Sequence, residues 1–225
     1  MEESIKKIVA GFLKVPVESV NSDTRIDRSA LSNSIVVHRL FAKLAEAGVR
    51  VENYVEIQSV GDLLQRTGGT VMVAPTPAPH MNGASKNGGG AGIDIEDVSA
   101  LPRTNDFRED EFYKMNFAPS EIAYCILQPD SYASFAGLFA AKEAIIKADN
   151  AFRNMPFNSI VINHEADGKP TYNGFSISIS HTDTLAVAVA VKASHAATEQ
   201  RPQDIGSLPG GARGCYSRSG TFCFF

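Results

Sequence analysis

The sequence predicts two folded segments, a small helical bundle over residues 1–69 and a mixed helix-and-strand domain over 92–193. In the first segment apolar residues recur at helical spacing, whereas several short runs in the second alternate as strands do. Between them, over 70–91, prolines give way to glycine, asparagine and serine, a composition typical of a flexible linker. Residues 194–225 have a similar composition and predict a disordered tail.

Three helices are predicted in the first segment. Apolar residues spaced three or four apart lead up to Pro16, which ends the first helix. The second helix is predicted over 34–47 and the third over 59–64, with Ser59 as its N-cap and Asp62 at the fourth position of a capping box. These elements predict a bundle of short helices.

The second segment predicts strands on both sides of one long helix. The predicted strands are 92–98, 160–162, 176–180 and 185–191, and the helix covers 133–152. The last two strands are joined by a four-residue turn, which predicts a hairpin. The apolar run 185–191 is much shorter than the ~20 residues that a membrane-spanning helix needs.

Charge and cysteine content exclude several classes of function. The net charge is -4, whereas a general nucleic-acid binder carries a basic excess. The three cysteines, Cys125, Cys215 and Cys223, fit neither a disulfide framework nor a zinc site, and they suit a reducing compartment. We therefore expect a cytoplasmic protein that binds neither nucleic acid nor membrane.

Two acidic residues share one face of the first predicted strand. Because side chains two apart point to the same side, Asp94 and Glu96 face away from Ile93 and Ile95. A pair of carboxylates is a common beginning of a hard-cation site, since Mg²⁺ prefers oxygen ligands. The alternative is a solvated strand face, which is the ordinary fate of charged residues.

The long helix and the hairpin turn add further polar candidates. Glu143 and Lys147 lie four apart on one helical stripe, where they supply either site residues or an ordinary surface ion pair of ~0.3–0.5 kcal/mol. His181 opens the turn beside Ser180, an arrangement that suits an anionic ligand, although a structural histidine fits the position equally well.

Three segments together resemble the phosphopantetheinyl transferase superfamily, and more closely its short holo-acyl-carrier-protein synthase branch. They read GIDIE over 92–96, FAAKEAIIKA over 139–148 and SISHT over 178–182. The resemblance covers about residues 92–192 and implies an α+β fold, a small antiparallel sheet packed with helices. It also implies a homotrimer formed through this domain.

The resemblance assigns roles to individual residues. It implies that Asp94, Glu96 and Glu143 hold Mg²⁺, that Glu143 or a water it orients is the catalytic base, and that Lys147 stabilises phosphate charge. The implied coenzyme A contacts are Lys142, Lys147, Ser180 and His181. The sequence departs from the branch at Leu138, where the branch has a basic residue.

The first segment resembles an acyl carrier protein. The attachment site of that family falls on Asn33-Ser34-Ile35, which makes Ser34 the candidate attachment serine. Asn33 replaces the usual aspartate, and the following helix carries the basic residues His38, Arg39 and Lys43 where carriers are acidic. A degenerate carrier fold kept for docking therefore remains an alternative, and without the resemblance Ser34 reads as a helix cap.

The implied activity is transfer of 4′-phosphopantetheine from coenzyme A to a serine of an acyl carrier protein, with Mg²⁺ as cofactor and release of 3′,5′-ADP. The carrier is a separate protein or the N-terminal segment itself. Two alternatives stay open. One is a non-catalytic carrier or docking module derived from a fatty acid or polyketide megasynthase, and the other is a carrier with an appended oligomerisation domain.

Overall fold

In the part of the N-terminal region that the structure describes, four α-helices surround one apolar core. We describe it from a computed structural model, which covers residues 1–31, 33–51, 54, 57–67 and 90–193. The helices are α1 (Glu2–Leu13), α2 (Arg28–Leu31), α3 (Ser34–Glu46) and α4 (Val60–Thr67). The predicted helices agree closely with α1, α3 and α4, because each buries the apolar stripe that its spacing indicated.

Local hydrogen bonds at the helix ends explain where the helices begin. Asp62 N donates to Ser59 Oγ at 3.2 Å, and Ser59 N donates to Asp62 Oδ2 at 3.0 Å, so the capping box predicted for this helix is confirmed. At α3 the N-cap is Asn33, whose side chain accepts from Val36 N. Reading Ser34 as the cap is therefore wrong, because Ser34 is the first residue of the helix.

The second region packs three helices with a five-stranded antiparallel sheet, which confirms the predicted α+β class. Its helices are α5 (Glu111–Asn116), α6 (Pro119–Ile126) and α7 (Ser131–Ala148), and its strands are β1 (Ala91–Asp97), β2 (Asn163–His164), β3 (Pro170–Tyr172), β4 (Phe175–His181) and β5 (Leu185–Lys192). The strand order is β1-β5-β4-β3-β2. None of the helices in the described ranges is both long and apolar enough to cross a bilayer.

Small residues bring α7 close to the sheet. The inward face of β5 consists of Ala186, Ala188 and Ala190, all fully buried. On β1, a side chain at Gly92 would overlap the carbonyl oxygen of Ala144 in α7. The helix therefore lies directly against β1 and β5, and polar side chains of β1 and α7 can meet.

The strand predicted over 160–162 is wrong, since the first strand after α7 begins only at Asn163. Ile160 and Ile162 are buried in the core as expected of apolar residues. The Ile162 N–H, however, donates to the side chain of Glu121 at 2.9 Å, and this bond takes the place of a strand-to-strand hydrogen bond.

Helix α3 belongs to two cores at once. Leu40, Phe41 and Leu44 pack in the N-terminal core, whereas Ile35 and Ala42 pack among the aromatic residues under the sheet. Residues Met1–Ser194 accordingly form one compact unit.

The predicted linker and tail fall largely outside the described residues. Of the predicted linker over 70–91, only Gly90 and Ala91 are described, and Ala91 is the first residue of β1. The predicted tail over 194–225 lies outside the described residues entirely.

Candidate active site

The carboxylates of β1 face the protein interior. Asp94 is 4% exposed and Glu96 1%, whereas Ile93 and Ile95 on the opposite face are 58% and 59% exposed. The alternation predicted from the sequence is confirmed, but the solvated face is the apolar one. Because burying a charge is costly without compensation, two inward carboxylates on one strand indicate a functional site.

Helix α7 brings a cation to these carboxylates. Lys147 Nζ donates to Asp94 Oδ1 at 2.5 Å and to the carbonyl oxygen of Ile93 at 3.1 Å. This ion pair joins α7 to β1. Lys147 forms it in place of the surface ion pair with Glu143 that the spacing along the helix allowed. Glu143 lies one turn earlier on α7 and is 9% exposed.

Glu96 is in contact with the N-terminal helices. Ser34 Oγ donates to Glu96 Oε1 at 2.5 Å, across 62 residues of sequence. Burial, opposed by this hydrogen bond and reinforced by the negative charges of Asp94 and Glu143, raises the pKa of Glu96 to about 8. The acidic residues therefore lie close enough to influence one another.

A cavity of about 350 Å³ lies beside these groups. The charged lining residues of the second region are one carboxylate, Glu143, and two cations, Lys147 and Arg153. The other wall comes from the N-terminal helices and the residues that connect them, namely Asp27, Ser34, Val37, His38, Tyr54, Ile57 and Gln58. Arg153 was not among the predicted site residues, because it follows α7 in a short turn that carries no motif.

Lys142 is not at the cavity, and the predicted coenzyme A contact is wrong in this structure. Its side chain is fully buried, and its ammonium donates to Glu121 Oε2 and the carbonyl of Asn116, both at 2.7 Å, and to the carbonyl of Phe157 at 3.0 Å. An ammonium has three donors, so none remains for a ligand. Lys142 instead anchors α6 to α7.

Ser180 and His181 lie on opposite faces of the sheet. His181 pairs with Ala186, which pairs with Glu96, so all three share the face that α7 covers. His181 is exposed, two strands away from Glu96 at ~5 Å per strand. Ser180 pairs with Val187 and so lies on the outer face. Neither residue lines the cavity, and the predicted contact at Ser180 is inconsistent with its position.

The basic residues of α3 contact the second region. His38 is 4% exposed, and its Nδ1 donates to Asn116 Oδ1, while Arg39 Nη1 donates to the carbonyl of Ala100 at 2.9 Å. The helical spacing of Ile35, His38 and Ala42 indicates a second buried face of α3. The sequence analysis missed this face because histidine is polar.

Two of the acidic residues, Asp94 and Glu96, are suited to binding a hard cation together. Within the described ranges, no three His, Cys, Asp or Glu side chains form a ready metal-binding group, so the predicted set of three carboxylates is not assembled. Glu96 Oε2, however, is buried with no hydrogen-bond partner among the described residues. Mg²⁺ commonly takes only one or two carboxylates and completes its shell with water and phosphate oxygens, which Asp94 and Glu96 can accommodate.

Comparison with known proteins gives sequence relatives that match about half of the chain. A holo-[acyl-carrier-protein] synthase of Chlorobaculum tepidum is 34% identical over 110 residues, which cover 44% of this chain and 94% of that protein. Fatty acid synthase subunit alpha of Saccharomyces cerevisiae is 32% identical over 130 residues, or 50% of this chain. The chain spans only 7% of that subunit.

A solved structure and a family model each match nearly half of the chain. The crystal structure of Helicobacter pylori holo-[acyl-carrier-protein] synthase in complex with coenzyme A aligns with a TM-score of 0.40 and 29% identity, over 46% of this chain and 99% of that one. The model of the 4′-phosphopantetheinyl transferase superfamily matches residues 90–198. With a relative of 34% identity matched over 94% of its length, the chain belongs to the 4′-phosphopantetheinyl transferase superfamily, as a member of the holo-acyl-carrier-protein synthase type.

Proposed function

We propose that this protein transfers 4′-phosphopantetheine from coenzyme A to a serine of an acyl carrier protein, with Mg²⁺ as cofactor and 3′,5′-ADP as the second product. The observation that carries the proposal is the inward pair Asp94 and Glu96 beside a cavity that Glu143 and Lys147 line. Cations that line a cavity can bind a pyrophosphate, and a carboxylate pair beside that cavity can hold the metal ion that accompanies it.

The chain's own residues have distinct tasks in this reaction. Lys147 and Arg153 line the cavity as cations that bind the phosphates of coenzyme A. Glu143, on the same wall, is the proposed base or water-orienting group for the serine hydroxyl. Because such a hydroxyl is a weak nucleophile, holding it in line with the phosphorus contributes much of the rate. Mg²⁺, held by Asp94 and Glu96 with Glu143 nearby, would neutralise charge on the phosphates.

The experiment that tests the proposal is mass spectrometry of an added acyl carrier protein. Purified protein is incubated with coenzyme A and Mg²⁺, and the carrier is expected to gain one phosphopantetheine group on its serine. Omission of Mg²⁺, or addition of a chelator, is expected to stop the gain. A carrier that stays unmodified at every enzyme concentration would favour the non-catalytic docking module instead.

Lys147→Ala is expected to lower kcat/KM for transfer by about 10²–10³-fold, because a fixed charge that meets the developing phosphate charge is lost. Lys147→Arg should retain more activity, since a point-charge contact tolerates another cation. Lys192→Ala is the matched control. Lys192 pairs with Asp149 at 2.7 Å and is 40% exposed, compared with 39% for Lys147, yet it lies outside the cavity. Equal rates for Lys147→Ala and Lys192→Ala would make Lys147 a structural residue only.

The outer face of the sheet supports a homotrimer, which we propose as the assembly. Ile93, Ile95, Leu185 and Val191 are each 44–59% exposed, and the register of β1 with β5 places them on one continuous surface. Large exposed apolar surfaces are uncommon on monomers. The short branch that the sequence resembles assembles through this domain, so the occupant we assign is another copy of the chain.

Ile95→Lys is expected to convert the trimer to a monomer, because a lysine there would be desolvated in the interface. Size-exclusion chromatography with light scattering measures the change. Leu127→Lys is the control, since Leu127 is 83% exposed and lies at the end of α6 rather than on the sheet. Wild-type protein of monomeric mass at micromolar concentration would contradict the proposed assembly.

We propose that the protein works in the cytoplasm. Cys125 is a free, buried thiol, and burial raises its pKa well above the usual range. An unpaired cysteine of this kind is in keeping with a reducing compartment.

A further inference from the structure

The buried contact between Ser34 and Glu96 joins the carrier-like helices to the active site. Ser34 is 4% exposed and Glu96 1%, and their side-chain oxygens lie 2.5 Å apart. Ser34 begins α3, where Asn33 already serves as N-cap. The Ser34 hydroxyl is therefore not needed to cap the helix and is directed at the acidic pair.

Several contacts hold α3 in this position. Ile35 and Ala42 are buried in the core beneath the sheet. The amide of Asn116 donates to the carbonyl of Phe112 at 2.7 Å, so its oxygen is available to accept the hydrogen bond from His38. Together with the bond from Arg39 to Ala100, these contacts fix the helix at both its first and second turns.

Ser34 also lines the cavity in which we place the phosphates of coenzyme A. Glu143, Lys147 and Arg153 line the same space. A hydroxyl, carboxylates and two cations thus surround one volume of about 350 Å³. This is the arrangement that a serine substrate and a bound pyrophosphate require, with the serine supplied by the chain itself.

We propose that Ser34 is an acceptor of the enzyme's own reaction, so that the chain attaches phosphopantetheine to its own N-terminal region. The inference rests on the proposed function. Ser34 Oγ forms a bond to the phosphorus that bears the pantetheine arm, and the bond from that phosphorus to the bridging pyrophosphate oxygen breaks. The electron pair of the broken bond leaves with 3′,5′-ADP, and the hydroxyl proton passes to Glu143 or to a water that it orients.

The hydrogen-bond geometry distinguishes the roles of two carboxylates. Glu96 accepts a hydrogen bond from the Ser34 hydroxyl, so it positions the acceptor serine. Glu143 lines the same cavity as Ser34 and is the base in this step. The helix that carries Ser34 also has to leave the site afterwards, because a phosphopantetheine on Oγ cannot occupy the 2.5 Å between Ser34 and Glu96.

The test is intact-protein mass spectrometry of the full chain, purified without the modification and incubated with coenzyme A and Mg²⁺, alone or with an added acyl carrier protein. We expect one phosphopantetheine group per chain, located on Ser34 by peptide mapping, and a rate that is unchanged by tenfold dilution. Ser34→Ala should abolish the gain. Ser29→Ala is the matched control, since Ser29 is an exposed serine in α2 of the same bundle, and it should still gain one group.

The possible failures are distinguishable. If the added carrier is modified while Ser34 stays bare, the inference is overturned and the proposed function stands. If neither is modified, the proposed function fails and the inference with it. Mixing Ser34→Ala chains with Asp94→Asn chains tests the intramolecular route, because rapid modification of the nearly inactive Asp94→Asn chain would show transfer between copies and overturn it.

Discussion

Asp94→Asn is expected to lower phosphopantetheine transfer by about 10²–10³-fold, the range seen when one preorganised charge-stabilising group is removed. Asparagine keeps the size of the side chain but not its charge, so a hard cation loses a ligand and Lys147 loses its partner. The fold should persist, since Lys147 is 39% exposed and water can solvate it. The measurement is the rate of carrier modification at saturating Mg²⁺.

Asp97→Asn provides the matched control on the same strand. Asp97 lies on the exposed face, and its side chain accepts from Ser99 N at 2.7 Å, a bond that asparagine can also accept. Its activity should equal that of the wild type. Full activity of Asp94→Asn at ordinary Mg²⁺ concentration would remove Asp94 from the proposed metal site.

Lys142→Met is expected to destabilise the protein by about 3–5 kcal/mol, because it leaves the Glu121 carboxylate buried without its cation. Glu121 is 1% exposed, so water cannot replace the ammonium. For a unit of this size the melting temperature should fall by about 6–20 °C. Chemical and thermal denaturation measure the loss, which is the largest effect on stability that we predict.

Two further variants separate the charge effect from packing. Lys192→Met removes a lysine from a 2.7 Å ion pair that is 40% exposed, and such pairs contribute only about 0–1 kcal/mol. The double variant Glu121→Gln with Lys142→Met should recover part of the loss, because the unpaired charge is gone. If Lys142→Met unfolds no more easily than Lys192→Met, the buried pair is not a stability determinant.

Periodicity in the sequence predicted most of the elements, since each strand and helix buries one face. The alternation of 92–98 correctly separated Asp94 and Glu96 from Ile93 and Ile95, but it could not tell which pair faces inward. The outcome depends on what covers each face. Here α7 covers the carboxylates, and Gly92 allows it to lie close.

Tertiary pairing explains the predictions that failed. Lys142 and Lys147 stand five residues apart on one helix, yet the first has a buried carboxylate beside it and the second reaches the cavity. From their positions in the motif, both lysines were predicted to contact coenzyme A. His38 and Arg39 similarly read as surface charge, because their partners Asn116 and Ala100 lie more than 60 residues away along the chain.

The sharing of α3 between two cores has a consequence for how the chain unfolds. Leu40 and Leu44 pack with the N-terminal helices, whereas Ile35 and Ala42 pack beneath the sheet. Because the same thirteen-residue helix packs in both cores, melting of either core removes packing contacts from the other. We therefore expect one cooperative transition for both regions, in contrast to the independent melting of tethered domains.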